Sequence, residues 1–151
     1  MSKTDQIIEA LTIAYNMEIE TVMNYICNSI NLDGVRAEEI KKSLLADITA
    51  ELGHAQALGR RIKVLGGQVP GSQSLKFEQK TLQPRPDQTD VLSVIKGVLD
   101  AEEAAITHYN KIIKLCDGTD YVTQDLAIQT LGDEEEHRRE FRGFLKEYEK
   151  K

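Results

Sequence analysis

The stretch Ile48-Thr49-Ala50-Glu51-Leu52-Gly53-His54-Ala55-Gln56-Ala57-Leu58 carries two patterns at once. Ile48 and Leu58 belong to an apolar stripe with Ile40, Leu44, Ile62 and Leu65, at the spacing of an amphipathic helix. Glu51 interrupts that stripe on its inward side, and His54 follows three residues later. Residues at i and i+3 share a helix face, so a Glu-x-x-His can aim both side chains at one point. A second such pair, Glu134-x-x-His137, follows Leu131 further along the chain. Glu18 sits in the stripe of Leu11, Tyr15 and Val22, and Glu102 lies between Val98 and Ala105.

Working outward, these residues form an internal repeat. Glu18-x6-Tyr25 precedes Glu51-x2-His54, and Glu102-x6-Tyr109 precedes Glu134-x2-His137. Four helical segments carry the pattern, one glutamate on each. The first runs from about Thr4 to Asn31, with Ile8, Leu11, Tyr15, Val22, Ile26 and Ile30 expected near one face. The second runs from about Ala37 to Leu65, with acidic Glu38 and Glu39 in its first turn and Lys63 in its last, as the helix dipole favours. Asp90 is a plausible N-cap for the third, Val91 to about Cys116, with Val94, Ile95, Val98, Ala105, Ile112 and Ile113 inward. The fourth starts near Asp120 and carries Leu126, Leu131, Phe141, Leu145 and Tyr148 into the core. Residues 66 to about 89 hold Gly66, Gly67, Gly71 and all three prolines, so they read as a connection without regular structure.

Loop lengths then set the topology. Short turns join helices one and two, and three and four, as antiparallel hairpins. A helix of about 28 residues is roughly 42 Å long, a span the long crossover can cover. The expected fold is all-α: a single domain over residues 1–151, a four-helix bundle of two hairpins joined by one crossover. An approximate two-fold axis would bring four carboxylates and two imidazoles together in its core.

Such a cluster calls for a cation. Isolated carboxylates are costly in low dielectric, and four together repel. Two divalent ions cancel four charges. Carboxylate with imidazole suits iron or manganese, and zinc can occupy such a site. One Glu-x-x-His alone would usually be a surface accident. Two, each in the middle of a helix and matched by glutamates on the other two, are hard to assign to chance. Tyr25 and Tyr109, two turns along from Glu18 and Glu102, read either as core residues with satisfied hydroxyls or as groups contacting the site's carboxylates. Glu102 is preferred over Glu103 because it shares a face with Val98, Ala105 and Tyr109. Glu20, Glu103, Glu135 and Glu136 are expected to be solvated, and His108 to lie on the surface.

Composition narrows the partners. A net charge of −6 argues against nucleic acid, which requires a basic face. No apolar run is long enough to span a membrane, and the N-terminal residues show no apolar signal region, so the expected location is cytoplasmic. Cys27 and Cys116 form no C-x-x-C pair, which speaks against a disulfide framework or a thiolate metal site.

The residues carry a family resemblance over about residues 7 to 148. Met17-Glu18-Ile19-Glu20-Thr21-Val22-Met23-Asn24-Tyr25, Glu51-Leu52-Gly53-His54-Ala55 and Asp133-Glu134-Glu135-Glu136-His137 resemble the helix motifs of the ferritin-like superfamily, and within it most of all bacterioferritin. The resemblance implies two iron ions per chain. Glu18 and His54 would be terminal ligands of one, Glu102 and His137 of the other, with Glu51 and Glu134 bridging and Tyr25 hydrogen-bonding nearby. It implies a ferroxidase that oxidises Fe(II) with oxygen or hydrogen peroxide, and assembly into a homo-oligomer of two or more chains. Leu52 stands where bacterioferritin has its haem-binding methionine, so haem is not expected. Only fourteen residues follow His137, which leaves no room for the fifth helix of the large shells and turns the expectation towards a twelve-subunit particle. Competing readings are a rubrerythrin-like peroxidase with a separate electron donor, a mini-ferritin iron store or DNA shield, and a bundle whose metal serves stability alone.

Overall fold

The computed structural model describes residues 1–150 and contains four long helices. They are α1 (Lys3–Asn31), α2 (Glu38–Val64), α3 (Val91–Cys116) and α4 (Tyr121–Glu149), with short 3-10 turns at Val35–Ala37 and Ser72–Ser74. Among the described residues there is no strand, and no helix is long and apolar enough to cross a membrane.

Helix ends follow from local chemistry. Ser2 and Asp5 form a reciprocal capping box at α1. Asp90 and Asp120 cap α3 and α4 by accepting from the backbone N–H groups of Ser93 and Thr123. At the end of α2, Gly66 takes a left-handed φ of +92°. Its N–H and that of Gly67 donate to the carbonyls of Lys63 and Ile62, closing the helix.

α1 pairs with α2 and α3 with α4, as the short turns require, while α1 also lies against α3 and α2 against α4. Arg61 near the end of α2 donates to Asp120 and Thr123 at the start of α4. Two apolar cores result. One holds Tyr25, Leu44, Val94, Ile95, Val98 and Phe141; the other holds Leu11, Leu58, Ile62, Tyr109 and Ile112. The four predicted core glutamates occupy the layer between them.

Two expectations for α1 are corrected. Ile26 and Ile30 are 42% and 71% exposed, not inward. Beyond Glu18 the covered positions of α1 include Thr21, Tyr25 and Asn28, so the isoleucines turn outward beside Met23. Glu20, expected to be solvated, is buried. Its carboxylate accepts the Gln79 backbone N–H at 2.7 Å.

That contact belongs to a docking ladder for the crossover. Asn16, Glu20, Asn24 and Asn28 recur every four residues along one side of α1. Asn16 exchanges two hydrogen bonds with the backbone of Lys76, both at 2.7 Å. Asn24 donates to the Gln79 side chain, which in turn donates to Thr21. Asn28 donates to the Leu82 carbonyl at 2.8 Å. Leu82 is itself buried in the first core, and the strap presses onto α3 at Gly97, where a Cβ would lie 2.4 Å from the Thr81 carbonyl oxygen.

Candidate metal centre

Each helix delivers its glutamate to the mid-layer because the carboxylate replaces one member of the inward apolar stripe. Glu18, Glu51, Glu102 and Glu134 are each 1–2% exposed. Two groups form: Glu18, Glu51, His54 and Glu134, and Glu51, Glu102, Glu134 and His137. Within each, one potential ligand atom per residue lies within 4.8 Å of all the others. Glu51 and Glu134 belong to both.

Both imidazoles aim Nδ1 into the cluster. His54 Nδ1 is 3.1 Å from Glu134, 3.5 Å from Glu18 and 3.7 Å from Glu51. His137 Nδ1 is 3.1 Å from Glu51 and 3.9 Å from both Glu102 and Glu134. The tyrosines cross between α1 and α3. Tyr25 donates to Glu102 and Tyr109 to Glu18, each at 2.6 Å. Burial first, and then the neighbouring carboxylates, push both phenols well above their ordinary pKa, so they remain donors.

Without a cation the layer is short of positive charge. Burial raises Glu51 well above the carboxylate range, and the charge of Glu18 adds to it. Burial raises Glu102 likewise, helped by Glu134, and pushes Glu134 up to about 8. Burial opposes ionisation of Glu18 too, but hydrogen bonds from Glu51 and His54 outweigh it and hold Glu18 low. Burial would also keep His54 neutral, yet the Glu134, Glu18 and Glu51 carboxylates around its Nδ1 push it far above its usual value.

The donor set fits a pair of cations. Each of the six residues has one buried atom without a hydrogen-bond partner: Glu18 Oε2, Glu51 Oε1, His54 Nδ1, Glu102 Oε2, Glu134 Oε1 and His137 Nδ1. An unsatisfied buried polar atom costs about 1–3 kcal/mol. Six of them converging on one layer form a site built for something that accepts lone pairs.

Two aspartates complete the surroundings, and the Glu-x-x-His pattern does not reveal them. His54 Nε2 lies 2.8 Å from Asp133, and His137 Nε2 lies 3.4 Å from Asp47. A carboxylate accepts only, so Nε2 is the nitrogen that donates outward, and Nδ1 is the nitrogen turned towards the cluster, where it could serve a metal as ligand. The available signal was positional: Asp133 directly precedes Glu134, and Asp47 lies one turn before Glu51. Burial pushes Asp47 up to about 6. Glu103, Glu135 and Glu136 are exposed as expected. His108, expected on the surface, is half-buried because its Nε2 meets the Ala10 carbonyl at 2.7 Å, and it lies outside both groups.

Comparison with known proteins agrees with this architecture. The DNA protection during starvation protein of Pyrococcus furiosus is 27% identical over 143 residues, covering 93% of this chain and 77% of that protein. The bacterioferritin of Desulfovibrio desulfuricans is 26% identical over 133 residues, covering 87% and 70%. A solved structure of D. desulfuricans bacterioferritin, described with its diiron site in different catalytic states, matches with a TM-score of 0.80 at 24% identity over 95% of this chain and 80% of that one. A dodecameric thioferritin, the bacterioferritin-related protein of Bacteroides fragilis, matches with a TM-score of 0.84 at 23% identity, over 96% and 87% of the two chains. The family model described as a ferritin-like domain matches residues 8–151, and the chain belongs to that family.

Proposed function

We propose that this chain is a ferroxidase-type di-iron protein that oxidises Fe(II) with oxygen or hydrogen peroxide, and that it works as a homo-oligomer. The observation that carries the reading is the pair of four-residue groups sharing Glu51 and Glu134, with one unpartnered atom from each of six side chains. Glu18 and His54 would hold one iron and Glu102 and His137 the other, with Glu51 and Glu134 between them. Two ferrous ions bound there supply two electrons to a single oxidant.

The chain's own residues prepare that step. Tyr25 and Tyr109 fix one oxygen each of Glu102 and Glu18, leaving the other oxygen facing the site. His54 and His137 turn Nδ1 inward. The apolar cores on either side exclude water from the layer, which strengthens every charge interaction inside it.

The homo-oligomer draws support from an exposed apolar band. Met23, Ile26 and Ile30 on α1, with Leu45 and Leu52 on α2, are 42–71% exposed. Exposed apolar patches mark contact surfaces, and a contact between copies would cover these side chains. The dodecameric relative makes twelve copies the favoured particle.

The test is an anaerobic Fe(II) titration followed by addition of oxidant, with particle mass measured by light scattering. Two Fe(II) per chain, rapid oxidation and a mass of at least a dimer are expected. Peroxide consumption that needs an added electron donor and leaves Fe(II) unoxidised would select the rubrerythrin-like reading. Metal binding with no oxidant consumption would leave a structural site.

Haem is expected to be absent. Leu52 has no thioether to offer at the family's haem position. Protein produced with ample haem should show no low-spin bis-thioether absorption. Such a spectrum would redirect attention to exposed Met23.

A further inference from the structure

The two halves of the centre match in all six inward-facing residues but differ in what stands behind the imidazoles. In the second half Asp133, adjacent to Glu134, reaches across from α4 to His54. The two-fold relation places the counterpart of Asp133 directly before Glu51, at residue 50. That residue is Ala50, which has no acceptor. Asp47, one turn earlier on α2, faces His137 instead.

The substitute is an imperfect one. Asp133 approaches Nε2 of its histidine at 2.8 Å with hydrogen-bond geometry. Asp47 stops at 3.4 Å, near the limit for such a bond. Its other oxygen, Oδ2, is buried and has no partner. Asp133 has 61% of its side chain exposed, whereas Asp47 has 10% and gains little from solvent. The outward N–H of a metal-binding histidine is ordinarily held by such an acceptor, which fixes the ring and raises its basicity.

We infer that Asp47 is the positioning residue for His137, and that its indirect reach makes the Glu102–His137 position the weaker of the two metal positions. This rests on the di-metal reading above. The Glu18–His54 position, with its ring fixed by Asp133, fills first. The Glu102–His137 position fills second, because His137 must still be brought into line as the ion arrives.

Anaerobic Co(II) titration followed by ligand-field absorption tests this without any turnover. The parent protein should bind two Co(II) per chain in two resolved steps. Asp47→Ala should weaken the second step by roughly 10–100-fold, the usual cost of losing an outer-shell partner, and leave the first in place. Asp133→Ala should weaken the first. Asp47→Ala combined with Ala50→Asp moves the carboxylate to the position the repeat indicates, at constant charge, and should restore the second step to parental affinity or better. A merely structural role for Asp47 would not be rescued in this way. Two Co(II) in the parent, with Asp47→Ala shifting the first step or neither, overturns the inference and leaves the metal centre standing. Fewer than two in the parent overturns both. Metal-free circular dichroism of each variant confirms that the helices are intact.

Discussion

Glu51→Gln should abolish rapid Fe(II) oxidation and at the same time make the metal-free protein more stable at neutral pH. Both effects follow from its place in both four-residue groups. Losing this carboxylate removes a charged donor from each metal position, so both affinities should fall by at least the roughly 10–100-fold that outer-shell changes cost. Glu18→Gln touches one group only and should weaken mainly its own position. The apo effect has the opposite sign. In the folded chain Glu51 is held well above the ordinary carboxylate value of 4.5 by burial and by Glu18, whereas the unfolded chain ionises normally. A carboxyl whose folded pKa is raised contributes stability at low pH and loses it as pH rises past the unfolded value. Above the ordinary carboxylate range, folding is therefore opposed either by taking up a proton at Glu51 or by burying its charge, and the opposition grows as pH rises. Glutamine is neutral throughout and avoids that cost. Stopped-flow oxidation with two Fe(II) per chain, paired with metal-free melts at pH 4.5 and pH 7, checks both effects. The stabilisation should shrink at the lower pH. If Glu51→Gln oxidises at the parental rate while Glu18→Gln does not, the bridging assignment is wrong.

Gly97→Val should cost substantial stability although it lies remote from the metal layer. A Cβ at Gly97 would lie 2.4 Å from the Thr81 carbonyl oxygen and 3.0 Å from Leu82 Cδ2. The first is a backbone atom in a strap held by Gln79 and by the Asn28–Leu82 bond, so it cannot swing aside as a side-chain tip would. Overpacking of this kind costs about 1–3 kcal/mol, and the branched valine belongs at the upper end. For a chain of this size that lowers Tm by roughly 2–4 °C per kcal/mol. Gly143→Ala is the control. It is helical, exposed and has nothing within 4 Å of the added methyl, so it should gain about 0.5–1 kcal/mol from reduced chain entropy. A Gly97→Ala variant that gains as much as Gly143→Ala would show that the strap is not seated on α3.

Much of this architecture can be read from the chain because carboxylates inside apolar stripes are conspicuous. Glu18, Glu51, Glu102 and Glu134 each occupy a position where periodicity calls for a hydrophobe, and the structure brings all four into one layer. The bounds of α3 emerge from Asp90 and from the Asp117-Gly118 turn. Asp47 is harder to see: its meaning depends on a histidine ninety positions away on another helix. Glu20 and its asparagine neighbours escape for a different reason. Their partners in the crossover are backbone groups and one glutamine, and a stretch without periodicity gives no sign of where it will lie. The error at Ile26 and Ile30 has the same origin, since a helix contacted on two sides does not follow a one-face pattern.

The ladder along α1 has an evolutionary corollary. Asn16, Glu20 and Asn28 read the crossover through its main chain, at Lys76, Gln79 and Leu82. Main-chain groups are the same whatever side chain they carry. The route of this segment is therefore encoded on the helix, while Lys76, Glu78 and Lys80 are free to drift with their side chains outside the ladder. Homologous chains could present quite different chemical faces there on an unchanged path, and an engineer could write new residues into those three positions with little penalty.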